Sequence, residues 1–414
     1  MRDSDQLVCD QYEAYPYPAR DPADEAHRLI TGSPSHILEI EHFIFAGGQA
    51  GDLRALVAGG GTGDGAIMLA QQLADRGTGS VTYLDISAAS LAIAKARAEM
   101  RELKNITFHQ GSLLNLSKKE WEPFDYIDCC GVLHHLPEPD EGLAALASVL
   151  APGGGLGLML YGQLGRTGVY PAQRAIARLA GQDAAEERLA LGRHLINAIP
   201  SINWLKRNDY LADHLAGDDA GFYDLLLHSR DRAYLVGEVL DLLSGAGLRA
   251  TGFSPLGAYD PAQYLDDGQL IERASSLPEA ERWALAEELS GAMKTHVFYA
   301  VRKDDFRRGV PGTLTPEMVP ALRDMDPKKI AADLSKSTRL TAAFGGVERT
   351  FQVSGDAADM IALIDGRRTL RQIHGRLRAK GAKMSWAEFL GRFSAFYGVL
   401  HPLNILLFAG AVLD

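Results

Sequence analysis

Between Gly59 and Gly65 the chain reads Gly-Gly-Gly-Thr-Gly-Asp-Gly, directly after the apolar run LRALVA and directly before a helical pattern, GAIMLAQQLADRG. Glycines at the end of a buried strand let the backbone approach a ligand where a Cβ would stand in the way. The helix that follows presents unpaired N–H groups. No register gives the G-x-G-x-x-G of a dinucleotide site, and no Lys-Ser/Thr follows, which excludes a phosphate-binding P-loop. Gly59, Gly61 and Gly63 give G-x-G-x-G instead. Asp85 closes the next apolar run, VTYLDIS. An acid there can accept two hydrogen bonds from a ribose diol, or simply cap the helix that follows.

Further residues could act on a small molecule near that loop. His134-His135 is a candidate acid–base pair, and Tyr161, with Arg166 and Tyr170 beyond it, follows the strand-like run GGGLGLMLYG. That is where an open α/β sheet binds ligands. Asp128 stands in an otherwise apolar strand, where a carboxylate needs a partner. Tyr223, His228 and Arg230 lie in FYDLLLHSRDRAY, whose apolar spacing suits packing. The adjacent Cys129 and Cys130 read as core residues, and no cluster of spaced His, Cys or acidic residues predicts a metal site.

These residues need a scaffold, and the pattern supplies one. LRALVA, SVTYLDIS, NITFHQGS, FDYIDCCG and GGGLGLMLYG alternate with amphipathic helices, which predicts βαβ units and a doubly wound, mostly parallel sheet. The segment 1–51 is irregular and aromatic (QYEAYPYPARDPADE) before a helix in SPSHILEIEHFIFAGG, and it reads as a lid or strap. After Gly162 the strand rhythm breaks, and about 163–246 is predicted to be a helical insertion over the sheet edge, since a structureless loop that long is rare. The strands return at LRATGFSP and THVFYAVRK. Charged and Pro/Gly-bearing residues 304–316 read as a linker between a domain at 52–303 and a smaller, mainly helical one at 317–414. In the latter, TAAFGGVERTFQVS is a candidate hairpin.

Composition narrows the function classes. The chain has 414 residues, three cysteines and a net charge of −11. The acidity argues against nucleic acid as a partner, although RRTLRQIHGRLRAK is locally basic. Three cysteines cannot build a disulfide framework, no run approaches the length of a membrane span, and the first residues lack a charged-then-apolar leader. A cytoplasmic protein without a membrane partner is expected.

The run FDYIDCCGVLHHLPEPDEGLAALASVLAPGGGLGLML resembles the fourth-strand and fifth-strand region of class I S-adenosylmethionine-dependent methyltransferases. Phe124-Asp125, Val132-Leu133-His134-His135-Leu136 and Leu150-Ala151-Pro152-Gly153-Gly154 fall in matching places, with the glycine loop and Asp85 in the expected order. The resemblance implies a seven-stranded sheet with a reversed last strand and S-adenosylmethionine as cofactor. It implies cofactor contacts from Gly59, Gly61, Gly63, Asp85, Ile86, Ser112, Leu113 and Cys130. Two departures stand out: Val57 replaces the family's first-strand acid, and Gly111-Ser112-Leu113 replaces its Gly-Asp. In this family the histidine pair usually orients a loop or packs under the cofactor.

The layout is also similar to bacterial protein-lysine methyltransferases with a C-terminal winged-helix-like domain, through YPYP at Tyr15–Pro18 and ALIDGRRTLRQI. The latter stretch also resembles peptide-recruiting domains of modified-peptide biosynthesis. Tyr15, Tyr17, Arg20, Tyr161, Arg166 and Tyr170 are therefore the expected acceptor-pocket residues, with Tyr161 and His134 as catalytic candidates. The expected reaction is in-line methyl transfer to an N or O acceptor, with a protein or peptide favoured. A small-molecule N- or O-methyltransferase is the alternative, and a non-catalytic cofactor-binding module the third reading. A homodimer is left open.

Overall fold

A computed structural model describes residues 4–48, 50–211, 219–306, 309–310, 313–344 and 347–410. Part of the expected linker, the tip of the expected hairpin and one stretch of the insertion lie outside those residues.

Seven strands form the central sheet: β1 Arg54–Ala58, β2 Ser80–Asp85, β3 Ile106–Gln110, β4 Phe124–Cys130, β5 Leu150–Tyr161, β6 Leu248–Ser254 and β7 Thr295–Arg302. Their spatial order is β3-β2-β1-β4-β5-β7-β6. The first five run parallel, whereas β7 is antiparallel to both β5 and β6. The order reverses between β1 and β4, and a doubly wound sheet opens its ligand crevice at that switch point.

The helices are α1 Ser4–Ala14, α2 Ile37–Phe43, α3 Asp64–Arg76, α4 Ala88–Met100, α5 Pro139–Ser148, α6 Val169–Ala180, α7 Ala185–Ala198, α8 Asp219–Leu226, α9 Val236–Gly245, α10 Gly268–Ser275 and α11 Glu279–Ser290. Each face of the sheet has its own apolar core: α2 and α3 pack on one, α5, α9 and α11 on the other. A separate core from Val169 to Leu227 joins α6, α7 and α8 beyond the end of β5. Helix α9, counted with the insertion from sequence, buries Val236, Val239, Leu242 and Leu243 against the sheet. Its apolar face is what a crossover helix ahead of β6 requires.

The first residues are not irregular throughout. Helix α1 forms there, and its Val8 and Tyr12 line the cavity described below. From Ala14 to Ile37 the chain runs as a strap over the carboxyl ends of the strands. Thr62 Oγ1 donates to the Pro18 carbonyl (2.7 Å), and Tyr126 and Tyr299 hydroxyls both donate to that of Pro34 (2.7 and 2.9 Å).

The last segment adds β8 Pro320–Leu322, α12 Pro327–Lys336, β9 Arg339–Phe344, β10 Val347–Gln352, α13 Ala357–Ile361, α14 Leu370–Ala379, α15 Trp386–Leu400 and β11 Leu406–Phe408. β9 and β10 form the expected antiparallel hairpin, which precedes α13–α15, and β11 closes back on β8. Its core gathers Phe389, Phe393, Phe396 and Phe408 with α12–α14. The segment is tied to the rest through Glu39 of α2, which is fully buried. That carboxylate accepts from Ser33, Ser254, Tyr299 and Asn404 and pairs with Arg323 at 3.4 Å. No helix among the described residues is long and apolar enough to cross a membrane.

Candidate active site

At the switch point the β1–α3 loop turns sharply. Gly59 and Gly61 adopt φ +76° and +51°, and a Cβ on Gly61 would stand 2.8 Å from the Tyr17 carbonyl oxygen of the strap. Only glycine meets both demands. Tyr83 donates from below to the Gly61 carbonyl (2.6 Å). Fully buried Arg97 binds the Thr62 carbonyl (2.8 Å), Asp64 (2.7 Å) and Glu25 (2.6 Å). Burial would raise the Asp64 carboxyl, but hydrogen bonds from Arg20 and Arg97 outweigh it and hold the group below its ordinary value.

Behind this loop lies a cavity of about 410 Å³, within the range of small-ligand sites. Gly59, Gly61, Asp85, Ile86, Ser112, Leu113 and Cys130 all line it. Gly63 does not: at φ +106° it is the N-cap of α3, and a Cβ there would stand 2.9 Å from Ala94, so it shapes the turn from behind. Asp85 accepts from the amides of Gly61 and Ser87 (both 2.8 Å). Burial raises its carboxyl, and those amides partly offset the rise. Asp128 also lines the cavity, 2% exposed. It accepts from Ser35 Oγ and from the Cys130 amide, and desolvation lifts it to about 6. Burial pushes the Cys130 thiol up, which leaves it a poor nucleophile.

The far end of the cavity is built by α1, β5 and the insertion. Tyr12, Tyr17, Tyr161, His135 and Asp224 line it. Asp224 accepts from Tyr161 (2.8 Å) on one oxygen and from Tyr12 (3.1 Å) on the other. Burial, reinforced by Asp224, raises both phenols well above their usual range, so they stay protonated donors. The Tyr161 ring is fixed between His134 (3.9 Å) and the Arg166 guanidinium (3.7 Å), and Arg166 pairs with Asp231 at 2.7 Å.

Several expected site residues stand behind this wall. His134 is sealed, both ring nitrogens lack a hydrogen bond among the described residues, and burial keeps it neutral. On the short turn Leu133–His135, it is the next residue whose ring reaches the cavity. Tyr15 stacks on Tyr223 (4.7 Å) in the insertion core, and Arg20 is held by Asp64 (2.6 Å). Arg166 backs Tyr161, and Tyr170 lies near Arg166 (5.8 Å), outside the lining. Tyr17 and Tyr161 alone of the expected acceptor residues reach it. Asp224 escaped the sequence reading, although a lone carboxylate inside the apolar FYDLLL is a signal that something must be paired there.

His135, Asp224 and His228 bring potential ligand atoms within 4.8 Å of one another, a cluster not expected from spacing. His228 Nδ1, however, accepts the Arg230 amide (3.0 Å), so its Nε2 carries the hydrogen and points it at the Tyr12 oxygen (3.2 Å). That nitrogen has no lone pair for a cation.

A seven-stranded sheet of this order, with a glycine turn and an acid at the ends of β1 and β2, defines a nucleoside-binding α/β enzyme. The methyltransferase-domain family profile matches residues 56–156. The uncharacterized protein syc1184_c of Synechococcus sp. is 33% identical over 309 residues, 72% of either chain. The ubiquinone biosynthesis O-methyltransferase of Acinetobacter baylyi is 31% identical over 109 residues, 26% of this chain and 43% of that protein. The structure of PKMT2 from Rickettsia typhi shares the fold at a TM-score of 0.59 and 14% identity, over 96% of this chain and 75% of that one. The chain belongs to the class I S-adenosylmethionine-dependent methyltransferases, and S-adenosylmethionine is its methyl donor.

Proposed function

We propose that the chain methylates an amine nitrogen presented by a peptide or protein. The observation that carries this reading is the charge of the cavity wall. Asp85, Asp128 and Asp224 line it beside Asp64, whose charge Arg20 and Arg97 balance, and no arginine or lysine lines it among the described residues. A wall of that sign favours a donor bearing a sulfonium and an ammonium, and an acceptor that arrives as an ammonium. It disfavours carboxylate, phosphate and phenolate acceptors. The rings of Tyr12, Tyr17 and Tyr161 add faces on which a cation can rest.

The residues present suit the donor. Asp85 receives the ribose diol, while Ile86, Ser112, Leu113 and Cys130 flank the rest of the nucleoside and methionine. Gly59 and Gly61 leave room for the methionyl end, and Gly63 sets their turn. Asp128, steadied by Ser35, takes the methionyl ammonium in place of the acid missing at Val57. The donor supplies an already activated methyl group, so the protein's task is to align an uncharged nitrogen with it and exclude water.

Two features support a macromolecular acceptor. The fold match to PKMT2 extends through the C-terminal segment, and that segment is docked on α2 by a buried polar network. We read 1–51 as strap, 52–303 as catalytic domain, 304–316 as linker and 317–414 as a winged-helix-like recruiting unit. The test is incubation with methyl-labelled S-adenosylmethionine and host extract, beside Asp85→Ala. Label in acid-hydrolysed protein as a methylated amine, absent from the variant, is expected. Label in the small-molecule fraction selects the alternative acceptor class.

A further inference from the structure

The far wall of the cavity holds one histidine nitrogen whose lone pair is unused, and we propose that this atom, Nε2 of His135, is the general base of the transfer. The assignment rests on the amine reading above, since an ammonium must lose a proton before it can attack. The tautomer follows from the partners. His135 Nδ1 lies 2.8 Å from the Arg230 carbonyl oxygen. A carbonyl can only accept, so Nδ1 carries the hydrogen and Nε2 keeps the lone pair. Among the described residues no hydrogen bond reaches that Nε2, and the ring lines the cavity beside Tyr12, Tyr161 and Asp224.

The two neighbouring histidines cannot take this part. His134 is sealed behind Tyr161, and His228 carries its hydrogen on the nitrogen that faces inward. Both instead fix the base. His135 stacks on His228 at 3.7 Å and meets His134 at 4.2 Å edge-on, while Tyr12 and Tyr161 present their rings at 6.4 and 5.7 Å. The charged groups around it are Asp224, Asp231 and Arg166. Burial is the largest influence on its proton affinity and lowers it, ahead of the two carboxylates, so His135 enters the reaction neutral.

The step balances without another reactant. The acceptor ammonium passes one proton to His135 Nε2, giving an imidazolium beside Asp224. The freed nitrogen pair forms the new N–C bond as the methyl carbon–sulfur bond breaks, its electrons returning to sulfur to leave the neutral thioether. The methylated product keeps a positive charge, and His135 then releases its proton to solvent.

Two measurements on the full chain decide the matter. Nitrogen-15 NMR of the histidine side chains at pH 7 should show His135 protonated at Nδ1, assigned by its loss in His135→Asn. Protonation at Nε2 overturns the proposal. His135→Asn can still donate to the Arg230 carbonyl but has no base. It should bind S-adenosylmethionine within about twofold of wild type, transfer label at least ~100-fold more slowly, lose the acidic limb of the pH–rate profile, and recover partly with added imidazole. Transfer within about threefold of wild type overturns the base assignment while the function stands. If wild type labels no fraction, the function reading fails, and the tautomer alone decides whether His135 has a base's geometry.

Discussion

Val57 of β1 and Asp128 of β4 are register partners across the parallel pairing of the two strands. The acid that the family places on the first strand is thus offered from the neighbouring strand, one interstrand spacing away and still on the cavity wall. Burial of this carboxylate is costly, which is why it rises to about 6. A positive ligand group beside it reverses that cost.

For Asp128 the sign of the pH effect follows directly. Its folded value is raised, so its contribution to stability is full below the ordinary carboxylate range and is lost as pH rises through about 6. Asp128→Asn should therefore flatten the pH dependence of unfolding between pH 4 and 7, with a gain on the order of 1–3 kcal/mol at pH 7. The same variant should bind S-adenosylmethionine at least ~10-fold more weakly. In wild type, binding at pH 6 should release about half a proton, since Asp128 is half protonated there, seen as a buffer-dependent heat. Binding without proton release removes Asp128 from the ammonium site.

Gly61→Ala asks two things of the loop at once. The new methyl meets the Tyr17 carbonyl oxygen at 2.8 Å in a backbone with φ +51°. A loss of about 1–3 kcal/mol in thermal unfolding is expected, with donor affinity falling further than stability because the strap must shift. Unchanged affinity in calorimetric titration would show that the strap does not cover the donor.

Tyr12→Phe and Tyr161→Phe each remove one donor from Asp224. Each should cost roughly 1.5–3 kcal/mol, the scale for hydrogen bonds to a charged group. Because both act on one buried carboxylate, the double variant should be non-additive by more than ~0.5 kcal/mol. Additive losses in chemical denaturation would mean that Asp224 is held by something else.

Glu39→Ala leaves Asn404, Ser254, Tyr299 and Arg323 without their shared acceptor. Removing one member of such a buried set costs on the order of 3–5 kcal/mol. The expected signature is early protease cleavage between the sheet and the C-terminal segment, before global unfolding. Cleavage at an unchanged rate would show that the remaining contacts, among them those of His42 with His401 and Phe408 and of Arg349 with Asp266, suffice for docking.

The sheet was legible from sequence because each strand is a short apolar run ending in a turn signal, and because Gly59, Gly61 and Asp85 sit at strand ends, where chemistry and topology coincide. The far wall was not. Asp224 and His228 read as packing because the helix around them is apolar. Their roles appear only when Tyr12, far away in the chain, arrives beside them. His134 and His135 are indistinguishable by type, and only the direction of a short turn decides which ring faces the cavity. Arg20, Arg166 and Tyr15, expected in the acceptor pocket, do not line the cavity and instead pack against Asp64, Tyr161 and Tyr223.

Asp85 meets its loop partner Gly61 across 24 residues, whereas Tyr12 finds Asp224 across 212. During synthesis the chain emerges amino end first, and long-range pairings wait for both partners. The nucleoside half can therefore be in place on the ribosome, with α1 already tied to the start of α4 through Ser87 and Ala88, while the Tyr12 hydroxyl still waits for Asp224. One hydroxyl of the first helix is thus among the last groups to find its partner, and the far wall of the cavity closes after the donor loop is built.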